Sequence, residues 1–150
     1  MRVLIQRVTS ASVTVAGEEI ANIDHGLLAL VGIASGDNKS VADWLAEKML
    51  GLRIFPDELD PNINMNRSLM DVGGKLLVVS QFTLTADVQK GKRPSFTTSA
   101  TPDVAQGLYN HFVDYVAQRV PTQTGKFGAD MQVALVNDGP VTFLLERNAD

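Results

Sequence analysis

The chain of 150 residues has no cysteine, which removes disulfides, thiolate metal ligands and a cysteine nucleophile together. It has two histidines, His25 and His111. Neither belongs to a His-x-x-x-His, Cys-His or Glu-x-x-His arrangement, so no metal or other cofactor is expected. His25 reads as a turn residue between Asp24 and Gly26, and His111 as a surface or packing residue of a helix. A Gly-x-Ser-x-Gly nucleophile elbow and a glycine-rich phosphate loop are missing as well. The longest apolar stretch, 26–34, is too short to cross a bilayer as a helix. The opening Met1-Arg2-Val3-Leu4-Ile5-Gln6-Arg7 lacks the apolar core of a secretory signal. A cytoplasmic chain without a membrane partner is therefore expected. Positive charge is not in excess either: the net charge is -4, which argues against a general nucleic-acid binder. A local patch that recognises an RNA end remains compatible with it.

Repeats, low-complexity tracts and linkers are also absent, so residues 1–150 are read as one domain. Hydrophobic residues make up 45% and charged residues 20%, proportions normal for a globular protein with enough chain to bury a core. Strands are predicted at Val3 to Val8, at Val13-Thr14-Val15 and Ile20 to Ile23 around an Ala16-Gly17 turn, and near 75–82, 131–137 and 141–147. Leu27 to Ile33, bounded by Gly26 and Gly36, suits a strand buried on both faces. Val41, Leu45, Met49 and Leu52 recur at helical spacing, with Ser40 and Asp43 as a variant capping box. A second helix is predicted from Pro102, capped by Thr101, with Val104, Leu108, Phe112 and Val116 as its buried stripe and Pro121 as its stop. The expected fold class is α+β: one compact domain with a mainly antiparallel, barrel-like sheet and two principal helices. Two irregular stretches, Phe55 to Val72 and Thr85 to Ala100, are long enough to suggest function.

Two polar segments interrupt this pattern. Gly73-Gly74-Lys75-Leu76-Leu77-Val78-Val79 runs as a buried strand straight into Ser80-Gln81-Phe82-Thr83-Leu84. Hydroxyls and an amide at the end of such a strand need partners that packing alone does not supply. In the second, Asn137-Asp138-Gly139-Pro140-Val141-Thr142 breaks an otherwise continuous strand with a proline, which cannot donate to a ladder. A Gly-Pro bond is where a cis peptide costs least. A cis Gly139-Pro140 would turn two carbonyl oxygens the same way, whereas the plainer alternative is an ordinary hairpin turn. Lys90, Lys92 and Arg93 beside Pro94 and Phe96 form either a phosphate-holding loop with a stacking surface or a solvated loop.

Together the two segments closely resemble the signature motifs of the D-aminoacyl-tRNA deacylases. The resemblance extends in order to Ile5-Gln6-Arg7-Val8, Met65-Asn66-Arg67-Ser68, Lys92-Arg93-Pro94-Ser95-Phe96 and Gly128-Ala129-Asp130-Met131. It implies a homodimeric hydrolase that cleaves D-aminoacyl-tRNA esters, and glycine mischarged onto alanine tRNA, with the aminoacylated tRNA 3' end as partner. Ser80, Gln81, Phe82 and Thr83 are then the catalytic segment; Gly139, Pro140, Met131, Arg7 and Phe96 bind substrate. In the family the Gly-Pro unit enters the active site of the partner subunit, where its backbone excludes an L side chain, and Arg7 would brace it across the interface. Thr83 is either a nucleophile, for which no adjacent base is present, or an orienting group beside a water activated by the terminal ribose hydroxyl. The resemblance implies the second, with backbone amides near Phe82 and Thr83 binding the oxyanion. The spacer Thr85-Ala86-Asp87-Val88-Gln89 departs from the family pattern. A rival from another class is a non-catalytic module that binds an RNA end or a small amino acid on the same fold.

Overall fold

The computed structural model describes residues 1–150. Its spine is β1 (Arg2–Val15), whose apolar positions feed two separate cores. Val3 and Ile5 enter a large cluster beneath the helices, whereas Val8, Ala11 and Val13 enter a smaller one. The change of face falls at Arg7–Ser10, where pairing with the last strand also shifts register. A bulge thus joins the two strands read separately from sequence into one.

On one edge β1 pairs antiparallel with β2 (Glu18–Ile23) through its second half, and with β3 (Gly26–Gly32) through its first half. Its other edge carries β6 (Gln132–Glu146) along nearly the whole length. The predicted strands at 131–137 and 141–147 are therefore one element interrupted by a pouch. The antiparallel expectation holds for these three pairs only: β3, β4 (Lys75–Ser80) and the short β5 (Thr122–Thr124), which was not foreseen, run parallel. In β3 and β4 alternate residues serve the two cores, Leu27 and Leu76 one, Leu28 and Leu77 the other. That accounts for their continuous apolar runs. Asn22 on β2 donates its backbone N–H to Gln123 Oε1 on β5 at 2.7 Å, so the mixed sheet nearly closes. At the entry to β3, a Cβ on Gly26 would sit 1.8 Å from the Lys75 carbonyl oxygen, so only glycine lets the parallel pair form.

Two helices cover the large core. Helix α1 (Lys39–Gly51) buries Val41, Leu45, Met49 and Leu50, and α2 (Pro102–Ala117) buries Leu108, Tyr109, Phe112 and Val116. Neither is long and apolar enough to cross a membrane. Three readings from sequence are corrected. Asn38, not Ser40, caps α1, its Oδ1 accepting the Val41 N–H at 3.1 Å. Val104 is exposed, and the inward face of α2 begins one turn later. Helix α2 stops at Ala117, short of Pro121.

Loss of this cap should be measurable. Asn38→Ala is expected to lower unfolding free energy by about 1 kcal/mol, while Ser40→Ala should change it by less than about 0.5 kcal/mol, as for an uninvolved surface site. Denaturant titration of both variants against wild type checks the assignment.

Candidate active site

Strand β4 delivers the first polar segment. Ser80 is its last residue, Gln81 donates its backbone N–H to the Val31 carbonyl at 2.8 Å, and the chain then tightens into a 3-10 turn, Phe82–Thr85. As at any helix start, the amides of Phe82 and Thr83 have no partner inside that turn. Ser80, Gln81 and Phe82 line a mainly apolar cavity of about 460 Å³. Val31 and Val79 come from the sheet, Tyr109 from α2, and Met131 from the segment that leads into β6. A handful of polar groups in an otherwise apolar cleft is the usual make-up of a small-ligand pocket.

Thr83 is exposed beside this cavity and does not line it. Its hydroxyl receives a hydrogen bond from the Gln81 side-chain amide. An amide N–H cannot take the hydroxyl proton, so the contact orients Thr83 and does not activate it. Phe82 is more than half exposed and packs against Phe96 with ring centroids 5.1 Å apart. That contact brings the loop after Thr85 to the rim of the cavity. The loop is pinched by paired bonds between Asp87 and Ser95 at 2.8 and 2.9 Å. At its tip Lys90, Lys92 and Arg93 are exposed and outside every ion pair of the chain.

Tyr109 is a cavity residue that the sequence reading missed. Its phenol is buried and donates to the Val78 carbonyl at 2.9 Å. Burial pushes its pKa up to about 12, so it is a neutral donor throughout the physiological range. The spacing Ala105, Tyr109, Phe112 along α2 was the available signal. The two histidines lie elsewhere, His25 edge-on to Phe55 and His111 bonded to Asp43 at 2.6 Å.

The second polar segment forms the pouch in β6. Gln6 pairs with Thr142 and Val8 with Asn137, so four residues, Asp138 to Val141, stand opposite Arg7 alone. The Gly139-Pro140 bond is cis, and Gly139 has φ +126°, a region that side chains disfavour. Asn137 Oδ1 accepts the Val141 N–H at 3.0 Å and closes the pouch. Buried Arg7 reaches it from below: its Nε donates to the Asp138 carbonyl at 3.2 Å and lies 3.3 Å from the Asp138 carboxylate. Its Nη1 donates to the Ile54 carbonyl at 2.7 Å. Arg7 thus braces the unit from within its own chain, whereas the sequence reading placed its bracing contact across an interface. Gly139 and Pro140 are exposed and outside the cavity that Ser80 and Met131 line.

Comparison with known proteins gives a consistent answer. Residues 4–146 match the family described as D-Tyr-tRNA(Tyr) deacylase. The D-aminoacyl-tRNA deacylase of Pelobacter propionicus is 56% identical over 148 residues, 98% of this chain and 100% of its own. That of Thermomicrobium roseum is 56% identical over 147 residues, 97% of this chain and 94% of its own. A solved structure of a c-Myc DNA Unwinding Element Binding Protein matches with a TM-score of 0.92 at 41% identity, covering 99% of this chain and 100% of that one. A probable eukaryotic D-amino acid tRNA deacylase shares the fold, with a TM-score of 0.83 at 18% identity over 96% and 97% of the two chains.

The buried phenol makes a clear spectroscopic mark. Tyr115→Phe leaves Tyr109 as the single tyrosine, since the chain has two. Its absorbance is expected to titrate at about 12 while the protein is folded and near 10 in denaturant. Because the folded pKa is the higher one, the associated stability is intact below pH about 10 and declines as pH rises toward the folded value. Titration of the native protein near 10 would place the phenol in water.

Proposed function

The chain belongs to the D-Tyr-tRNA(Tyr) deacylase family, and from that membership we propose that it is a hydrolase cleaving the ester that joins a D-amino acid to the 3' end of tRNA. The observation that carries this reading is the placement of Ser80, Gln81 and Phe82 on the wall of an apolar cavity, with two unpartnered turn amides next to them. An amino-acid side chain fits the apolar lining at Met131, while the polar segment faces its ester. Attack by water breaks the bond between carbonyl carbon and ribose oxygen and releases a free amino acid and tRNA. The neighbouring ribose hydroxyl assists the water, and the amides of Phe82 and Thr83 hold the oxygen as it gains charge. Thr83 orients substrate in this scheme; the Gln81 bond to its hydroxyl supports that role over nucleophilic attack.

Chirality is assigned to Gly139-Pro140. Within one protomer the unit stands outside the cavity, exposed and held from beneath by Arg7. That placement supports its delivery to the cavity of a second copy, in a homodimer. There its carbonyl oxygens accept bonds from the substrate ammonium and fill the volume that an L side chain needs. Glycine passes such a barrier, so glycyl-tRNA formed on alanine tRNA is a further substrate. Contacts with the tRNA end fall to Phe96 and to the free cations Lys90, Lys92 and Arg93, although the chain is acidic overall. A cytoplasmic proofreading role follows from this chemistry.

The test compares D-alanyl, glycyl and L-alanyl esters of one tRNA at equal enzyme concentration. The D and glycyl esters are expected to be cleaved while L-alanyl persists, because backbone exclusion discriminates far more than the roughly 1–3 kcal/mol of one methyl in an apolar pocket. Survival of the glycyl ester beside loss of the D ester would demand a pocket that grips a D side chain. Binding of all three without cleavage would instead make the chain a nucleic-acid-end binding module. In the same assay Thr83→Ala should retain most of the turnover, whereas replacing the free ribose hydroxyl by hydrogen should abolish it.

A further inference from the structure

Beneath the 3-10 turn lies a relay of hydroxyls that the catalytic scheme leaves unused. Thr85 is buried, and its Oγ1 donates to the Phe82 carbonyl at 2.7 Å. The same oxygen lies 2.6 Å from Ser99 Oγ. A threonine hydroxyl has one proton, already given to Phe82, so Ser99 is the donor to Thr85. The relay therefore has one direction: Ser99 to Thr85 to the Phe82 carbonyl. Thr98 adds a separate bond from its hydroxyl to the Thr85 carbonyl at 2.6 Å. On the other side of Thr85, its methyl faces Gly32 at the end of β3, where an added Cβ would lie 3.4 Å away. Methyl and hydroxyl are thereby held in fixed directions.

The carbonyl that receives this relay belongs to the same peptide unit as the Thr83 N–H. In a trans peptide the two groups lie in one plane and point in opposite directions. Anchoring the Phe82 oxygen toward buried Thr85 aims the Thr83 N–H outward, toward the exposed side of the turn. Hydrogen bonding at a carbonyl also polarises the amide and strengthens its N–H as a donor. We infer that Thr85, with Ser99 behind it, is a positioning residue for the Thr83 amide, setting the direction and donor strength of the group that meets the ester oxyanion. This rests on the deacylase reading and adds to it residues from the spacer and from the loop that returns to α2. Ser99 also lines the cavity, so the loop that brings Phe96 to the rim also supports the turn from below.

The experiment measures kcat and KM for D-alanyl-tRNA with wild type, Thr85→Val, Thr85→Ser and Ser99→Ala, alongside the melting temperature of each. Thr85→Val keeps the branched shape and removes the hydroxyl. It is expected to lower kcat about tenfold, less than the roughly hundredfold or greater loss that deleting an oxyanion donor outright causes, because the amide remains but is no longer aimed. KM should change by less than about twofold, since ground-state binding is untouched. Thr85→Ser restores the hydroxyl and should recover kcat; Ser99→Ala should give a smaller fall in kcat alone. An unchanged kcat in Thr85→Val, a loss confined to KM, or an equal loss in Thr85→Ser would overturn the inference. If Thr85→Val does not fold, an unchanged kcat in Ser99→Ala overturns it as well. A wild type that leaves the D ester intact would defeat the deacylase reading itself, and the inference with it.

Discussion

Buried Arg7 is the constraint on which the outer part of the site depends. Its guanidinium sits at the bulge of β1, where the strand changes cores, and is tied to the Ile54 carbonyl on one side and to Asp138 on the other. A buried guanidinium needs its donors satisfied, since desolvating an unpaired charge costs several kcal/mol. Both of its backbone acceptors lie at the borders of irregular segments. Ile54 opens the long stretch to Val72, which folds back through paired bonds between Phe55 and Arg67. Asp138 opens the Gly139-Pro140 pouch. One side chain thus fixes the start of both, and the Met65-Asn66-Arg67-Ser68 motif acquires a structural role through Phe55.

The cavity depends on a different part of the fold. Strands β3 and β4 are apolar on both faces because each separates two cores, and this doubly packed pair ends at Val31 and Ser80. Packing at that density leaves little freedom in the backbone. The 3-10 turn therefore starts from a rigid base, and Thr85 pins its far end with Arg2, which donates to the Leu84 carbonyl at 2.6 Å. A transition-state donor must be held in place before reaction, because reorientation during the reaction costs free energy.

Legibility in the sequence followed the physics of each element. Continuous apolar runs marked β3 and β4, and helical spacing marked both helices, because one-sided or two-sided burial writes itself into period. The bulges did not. Val8 and Asn137 look like strand ends, yet β1 and β6 continue past them, held by long-range pairing and by Arg7. Parallel pairing of β4 with β5 was hidden because Thr122–Thr124 is three residues long and only partly buried. Ser40 resembled a cap two residues too late; Asn38 has the extended backbone that a cap requires. Within the site, Ser80, Gln81, Phe82 and Met131 were brought to one cavity, while Gly139 and Pro140 were not. Tyr109 and Thr85 escaped notice because their roles arise from where the fold buries them.

The proposed active site is composite, a cavity from one copy completed by the Arg7-held pouch of another. Complementation tests that claim most directly. Thr83→Pro, at the second residue of the turn, removes one amide donor. Gly139→Ala disturbs the pouch, since its Cβ would lie 2.7 Å from Val141 Cγ2. Each variant alone should be inactive on D-aminoacyl-tRNA. Co-expressed, they should regain activity, because a mixed dimer contains one intact cavity facing one intact pouch. A mixture as inactive as its two parents would show that cavity and pouch serve the same chain, and the composite site would be excluded.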